Sequence, residues 1–333
     1  MPRTRCSQCP ITGATLSSRP DGREHLYGSL REGHARVGVQ TFGRSESLSV
    51  SYRFQPVGDV DVFYREAGPA DAPVILLLHG YPTASHMFRE LIPRLEESYR
   101  LIAPDLPGFG QTRVPPRSHF DYTFDNLAKT VDGLTEALKI DRYAIYLFDY
   151  GAPTGFRVAL AHPDRVTALI SQNGNAYDEG LGPMWALFRA YWNEPNDANR
   201  DACRKTLGPD VTRSQYLIGS NPEKIAPDGY ELDIAYLARP GNDEIQLDLI
   251  YDYRTNVAAY PKWQAYLREK RPPLLAVWGK NDPFFLPPGA EAFGRDQPDA
   301  EIHFVDAGHF ALETKVDEIA KRIIDFMGQL QRR

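Results

Sequence analysis

Apolar residues along this chain recur with two periods. Short strand-type runs, continuous or alternating, are separated by stretches in which apolar residues return every three or four positions. Tyr52-Arg53-Phe54 and Val60-Asp61-Val62-Phe63-Tyr64 predict a strand pair that turns at Gly58-Asp59. Pro73 to Leu78 is a continuous run, as in a strand covered on both faces, and it ends at His79-Gly80-Tyr81-Pro82. After Ser85, the spacing of Met87, Leu91, Ile92 and Leu95 predicts a helix. Tyr99 to Pro104 is the next strand, and Asp105-Leu106-Pro107-Gly108-Phe109-Gly110 is a loop by its glycine and proline content. Leu127, Val131, Leu134 and Leu138 keep helical spacing. Tyr143 to Leu147 is strand-like, Ala152 to Ala161 helix-like, and Arg165 to Gln172 strand-like again.

The pattern then changes. Residues 176–262 are aromatic-rich and helix-like, with breaks at Gly208-Pro209, Pro222, Pro227 and Pro240-Gly241. Strand character returns at Leu274–Trp278 and Ile302–Val305, and a final amphipathic helix carries Val316, Ile319, Ile323 and Phe326. Alternating strands and helices predict an α/β fold: a mostly parallel eight-stranded sheet with helices on both faces. Residues 49–175 and 263–333 are expected to form the core, and 176–262 an inserted helical cap over the carboxyl ends of the strands, where such sheets bind ligands. Residues 1–48 are rich in Arg, Ser and Gly without sustained periodicity and are expected to be a disordered extension. Asp21, Glu24, Glu32 and Glu46 depart from the acid-poor pattern of a transit peptide.

Composition narrows the classes. The 333 residues carry a formal net charge of −6, which argues against nucleic acid as the main partner. No apolar run approaches the roughly 20 residues that span a bilayer, so no membrane partner is expected. Three cysteines, Cys6, Cys9 and Cys203, do not make a disulfide framework, and a reducing cytoplasm is the simplest compartment. Cys6 and Cys9 form one C-x-x-C pair, but only the scattered His25 and His34 follow, so no metal is expected.

The chemistry centres on Asp149. In Leu147-Phe148-Asp149-Tyr150-Gly151 it stands between a strand and a helix, in the sharp-turn context where α/β-hydrolases usually place serine. A carboxylate that attacks an acyl group gives a reactive anhydride, whereas attack on a saturated carbon gives a stable alkyl ester. The residue type therefore points to a leaving group on an sp³ carbon. Asp282 and His309 each follow a strand, and the order nucleophile, acid, histidine is that of α/β-hydrolases. The expected roles are Asp149 as nucleophile and His309, held by Asp282, as base for the water that hydrolyses the ester. Backbone N–H groups of Tyr81 and Tyr150 are expected to form the oxyanion hole.

Over residues 50–330 the chain resembles the epoxide hydrolase and haloalkane dehalogenase branch of the α/β-hydrolases. The motifs are His79-Gly80-Tyr81-Pro82, Asp105 to Gly110, the Asp149 elbow, Trp278-Gly279-Lys280-Asn281-Asp282 and Gly308-His309-Phe310. His79 reads as a brace for the oxyanion loop. Haloalkane dehalogenases place tryptophan directly after the nucleophile; here Tyr150 stands there. Epoxide hydrolases protonate the epoxide oxygen from cap tyrosines. Tyr253 resembles one of them, while Phe188 stands where the other is usual, with Tyr191 or Tyr177 as substitutes. Trp185 and Trp192 are candidate halide donors. The resemblance thus implies a small hydrophobic organic substrate and water as partners, no cofactor, and epoxide hydrolysis to a vicinal diol. Alkyl halide dehalogenation is the alternative, and a catalytically silent binding protein a third reading. A homodimer is left open, as no sequence feature argues for one.

Overall fold

The computed structural model describes residues 50–332. The expectations for residues 1–48, including Cys6, Cys9, His25 and His34, lie outside the described residues. Eight strands form one sheet: β1 (Ser51–Val57), β2 (Val60–Ala67), β3 (Val74–Leu78), β4 (Arg100–Pro104), β5 (Tyr143–Leu147), β6 (Val166–Ser171), β7 (Leu274–Gly279) and β8 (Glu301–Val305). Their order is β1-β2-β4-β3-β5-β6-β7-β8. β1 and β2 pair antiparallel, with Val57 opposite Val60 across the predicted turn, and β2 pairs antiparallel with β4. All other pairings are parallel. β5 therefore lies in the interior of the sheet, between β3 and β6.

Alternation along the strands divides the core into two layers. Leu76, Leu78, Ile145, Leu147 and Leu169 pack on one face against Leu127, Val131 and Leu134 of the Phe124–Ala137 helix and Phe156 of the Gly151–Ala161 helix. Ile75, Leu77, Ala144, Tyr146 and Ile170 pack on the other against Ile319, Ile323 and Phe326 of the Leu312–Gln331 helix. The continuous apolar runs follow directly, because a strand covered on both faces has no solvent side.

Two expectations need correction. Residues 85–95 do not form one helix: a 3₁₀ turn, Ser85–Phe88, is followed by a single α-turn, Ile92–Leu95. Pro93 lacks an N–H and would clash with an upstream carbonyl, so it can start a helical turn but not continue one. Met87, Leu91, Ile92 and Leu95 are nevertheless all buried in one core layer. Residue 262 is also not an element boundary. The helix Arg254–Lys270 runs through it and ends at Arg271, whose φ is +46°. Trp263 and Leu267 on this helix pack into the core. Among the described residues, the elements between β6 and β7 are all helical, and no helix is long and apolar enough to cross a membrane.

Candidate active site

Asp149 follows the carboxyl end of β5 with φ +45°, a left-handed conformation rare outside glycine. The turn is tight. A Cβ on Gly151 would overlap the Leu78 carbonyl oxygen, and one on Gly80 would overlap Asp149 Oδ1. Small residues on both sides thus let the neighbouring backbone close around the carboxylate. Tyr81 N–H donates to Asp149 Oδ1 at 2.5 Å, and the Tyr150 N–H also favours the charged carboxylate.

His309, on the turn after β8, puts Nε2 3.9 Å from Asp149 Oδ2. Its Nδ1 lies 2.8 Å from Asp282 Oδ2. A carboxylate only accepts, so Nδ1 carries a proton, and when the ring is neutral its Nε2 lone pair faces Asp149. Asp282 Oδ2 also accepts from Asn173 Nδ2 at 2.7 Å, and Oδ1 accepts from the Phe284 N–H at 2.8 Å. Phe148 packs against the His309 ring, with centroids 4.7 Å apart. The two carboxylates and the imidazole, far apart in sequence, meet at one edge of the sheet.

Burial raises the Asp149 pKa from 3.8 to about 6, against the opposing effects of His309 and the Tyr81 and Tyr150 N–H groups. For His309, burial pulls the pKa down, but Asp282 and Asp149 outweigh it and the net direction is up. If the carboxylate is the reactive form, alkylation of Asp149 will fall about tenfold per pH unit below a midpoint near pH 6. Single-turnover rates from pH 4.5 to 8 check this. A rate that stays flat down to pH 4.5 contradicts it.

His79 braces the loop that carries Tyr81. Its Nε2 accepts the Leu106 N–H at 2.9 Å and its Nδ1 lies 3.0 Å from the Gly80 carbonyl oxygen. Burial is the main reason its pKa is lowered, so it serves as a neutral bridge rather than a charge. Asp105 fastens the next loop through the N–H groups of Ser85 and Gln111, each at 2.7 Å.

A cavity of about 150 Å³ opens beside Asp149 and His309. Tyr81, Tyr150 and Phe284 line it from the sheet side, and Trp185, Phe188, Gln215 and Ile250 from the helical insertion. Phe188, at the position where a tyrosine was expected, thus faces the cavity with an apolar ring. The other aromatic candidates are committed elsewhere. Trp185 Nε1 donates to the Phe284 carbonyl at 2.8 Å and Trp192 Nε1 to the Ile250 carbonyl at 2.7 Å, so neither indole N–H is free for a halide. Tyr253 is buried against Tyr150 and Trp185 and is not among the residues that line the cavity. The structure does not bring Tyr191 or Tyr177 to the cavity. Tyr191 Oη accepts from Arg200 Nη1 at 2.8 Å within a separate cluster of the insertion. Tyr177 packs edge-on against Phe293, with its hydroxyl near Asp296 and Arg295.

Two residues that support the site were not anticipated. Asn173, with φ +50°, holds Asp282 through Nδ2 while its Oδ1 accepts from the Gly279 N–H at 3.0 Å. Gln172 Nε2 donates to the Asn173 side chain at 2.5 Å and to the His309 carbonyl at 3.1 Å. The Asn173-Gly174 dipeptide at the end of β6 was the available signal, because asparagine tolerates left-handed backbone and marks turns.

Comparison with known proteins agrees with this architecture. Residues 73–316 match the family model described as alpha/beta hydrolase fold. An uncharacterized hydrolase of Saccharomyces cerevisiae, YNR064C, is 43% identical over 291 residues, which cover 86% of this chain and 99% of that protein. A haloalkane dehalogenase of Mycobacterium marinum is 31% identical over 284 residues, covering 79% and 87% of the two chains. Among solved structures, one described as "a putative epoxide hydrolase from Pseudomonas aeruginosa" superposes with a TM-score of 0.72 at 20% identity, over 85% of this chain and 97% of that one.

Proposed function

This chain belongs to the alpha/beta hydrolase fold family, and from that membership we propose that it hydrolyses small apolar epoxides to vicinal diols through an ester on Asp149. One observation carries the reading: the carboxylate is already held in two halves. Oδ1 accepts the Tyr81 N–H while Oδ2 faces the free nitrogen of His309. Oδ2 is then the nucleophile. Once it carries the alkyl group, Oδ1 is the ester carbonyl oxygen and sits in the N–H cradle that stabilises a tetrahedral oxyanion. His309 takes a proton from water, and the hydroxide attacks the Asp149 carboxyl carbon. Asp282 orients the ring and offsets its positive charge. Asp149, His309 and Asp282 act as a catalytic triad, and the helical insertion acts as a cap that closes the cavity.

The cavity volume indicates substrate size. A void of about 150 Å³ lined by apolar side chains accommodates a benzene-sized molecule. Between leaving groups, the committed indoles support epoxide over halide, because a departing halide needs N–H donors and both candidate donors already serve backbone carbonyls. Dehalogenation remains the second reading, favoured by the likeness to the Mycobacterium marinum enzyme.

The test is a single turnover in heavy-oxygen water, with small epoxides and with alkyl halides of matching carbon skeleton. The expected result is a diol without label and heavy oxygen in the Asp149 carboxyl group, because water attacks the ester carbonyl rather than the substrate carbon. Label confined to the product would refute the covalent route. Turnover of halides but not epoxides would favour the second reading, and no turnover of either would leave a binding protein.

A further inference from the structure

Ring opening leaves an alkoxide that needs a proton, and the cap tyrosines do not present one to the cavity. Tyr253 packs against Tyr150 and Trp185 outside the cavity lining, the Tyr191 hydroxyl is engaged with Arg200, and Tyr177 packs elsewhere. Resting on the epoxide reading above, we propose that the hydroxyl of Tyr81 donates the proton to the oxirane oxygen, with the phenol of Tyr150 beside it as the second polar wall of the leaving-group site.

Three observations converge on Tyr81. It lines the cavity together with Asp149 and His309. Its hydroxyl is buried and has no hydrogen-bond partner among the described residues. A buried unpaired hydroxyl costs free energy, and one on a residue that lines the cavity has hydrogen-bonding capacity left for a ligand. Its backbone N–H already grips Asp149 Oδ1, which ties the position of the phenol to that of the nucleophile. The Tyr81 and Tyr150 rings are 6.0 Å apart and tilted by 40°, and both residues line the cavity.

The step balances. Asp149 Oδ2 bonds to an oxirane carbon as the carbon–oxygen bond breaks, and the electron pair goes to oxygen, which takes the Tyr81 proton. The negative charge thus passes from Asp149 to the Tyr81 phenolate. Burial, with the Asp149 carboxylate adding to it, keeps the phenol fully protonated in the resting site, and esterification removes the carboxylate's opposition as the proton leaves. Ester hydrolysis regenerates Asp149 first as its acid, whose proton returns to Tyr81. His309 passes the proton it took from water to the departing product oxygen. The sum is one epoxide plus one water giving one diol.

The experiment measures alkylation of Asp149 by intact-protein mass in a His309→Gln background, where the ester accumulates. Tyr81→Phe keeps the backbone N–H and the ring but removes the donor. It is expected to slow alkylation by a small epoxide about 10²-fold or more, and by more than Tyr253→Phe does. Equal rates in Tyr81→Phe and its parent, or a larger loss in Tyr253→Phe, would overturn the assignment while leaving epoxide hydrolysis intact. A parent that forms no ester with any epoxide would overturn the function as well. Fluorinated tyrosines incorporated at position 81 keep the shape and vary only the acidity of the phenol. A proton donor makes the alkylation rate follow that acidity, whereas a rate indifferent to it would reduce Tyr81 to packing and sink the proposal.

Discussion

The Asp149→Asn variant is expected to lose turnover by at least about 10⁴-fold and, at pH 8, to unfold at a higher temperature than its parent. Both effects have one cause. The neutral amide cannot displace a leaving group at a useful rate, so no covalent intermediate forms. The same substitution removes an ionised group from a buried site. With a folded pKa of about 6 against 3.8, protonated Asp149 is favoured by the fold. The carboxylate therefore costs stability as pH rises from 3.8 towards 6, and above pH 6 the cost levels off at about 3 kcal/mol. The variant should gain up to that amount at pH 8, and the gain should shrink as pH falls through 6 and vanish below 3.8. Thermal unfolding at pH 8 and pH 3.5, beside steady-state turnover, reads both effects. Equal midpoints at pH 8 would mean that the buried carboxylate is paid for elsewhere in the site.

His309→Gln is expected to separate the two chemical steps. Alkylation should proceed to one equivalent of ester, while hydrolysis of that ester slows by about 10⁴-fold. Glutamine cannot take the proton from water, but it leaves Asp149 Oδ1 in its N–H cradle. The variant also removes a group whose charge lowers the Asp149 pKa, so the acid limb of alkylation should move to higher pH. Intact mass with time gives the ester, and quenched product assays give its decay. Steady turnover at the parental rate, with no ester accumulating, would exclude His309 as the base.

How much of this site was legible beforehand depended on whether each feature is local. Asp149, Asp282 and His309 lie just past strands, and strand runs followed by Gly- or Pro-rich turns are written in consecutive residues. Parallel strands with crossover helices bring their carboxyl ends to one edge, so the three groups could be grouped without coordinates. His79 as a brace was legible for the same reason, since its partners Gly80 and Leu106 sit at two adjacent strand ends. The helix expected after Ser85 failed because Pro93 limits helix growth locally although the apolar spacing suits it.

The sequence by itself determined the fold class, the order of the strands along the chain and the carboxylate at the strand–helix turn that is proposed as the nucleophile. Each follows from periodicity or from the identity of one residue in a short context. Only the tertiary structure decided which aromatic groups face Asp149. Tyr253, Tyr191, Tyr177, Trp185 and Trp192 all belong to the helical insertion and its flanks, where helical spacing says which side of a helix is apolar but not what that side meets. The Trp185 and Trp192 N–H groups and the Tyr191 hydroxyl found partners on other elements, at Phe284, Ile250 and Arg200, through contacts that helical spacing does not reveal. Tyr81, whose backbone N–H binds Asp149, lines the cavity with a hydroxyl that has no partner among the described residues.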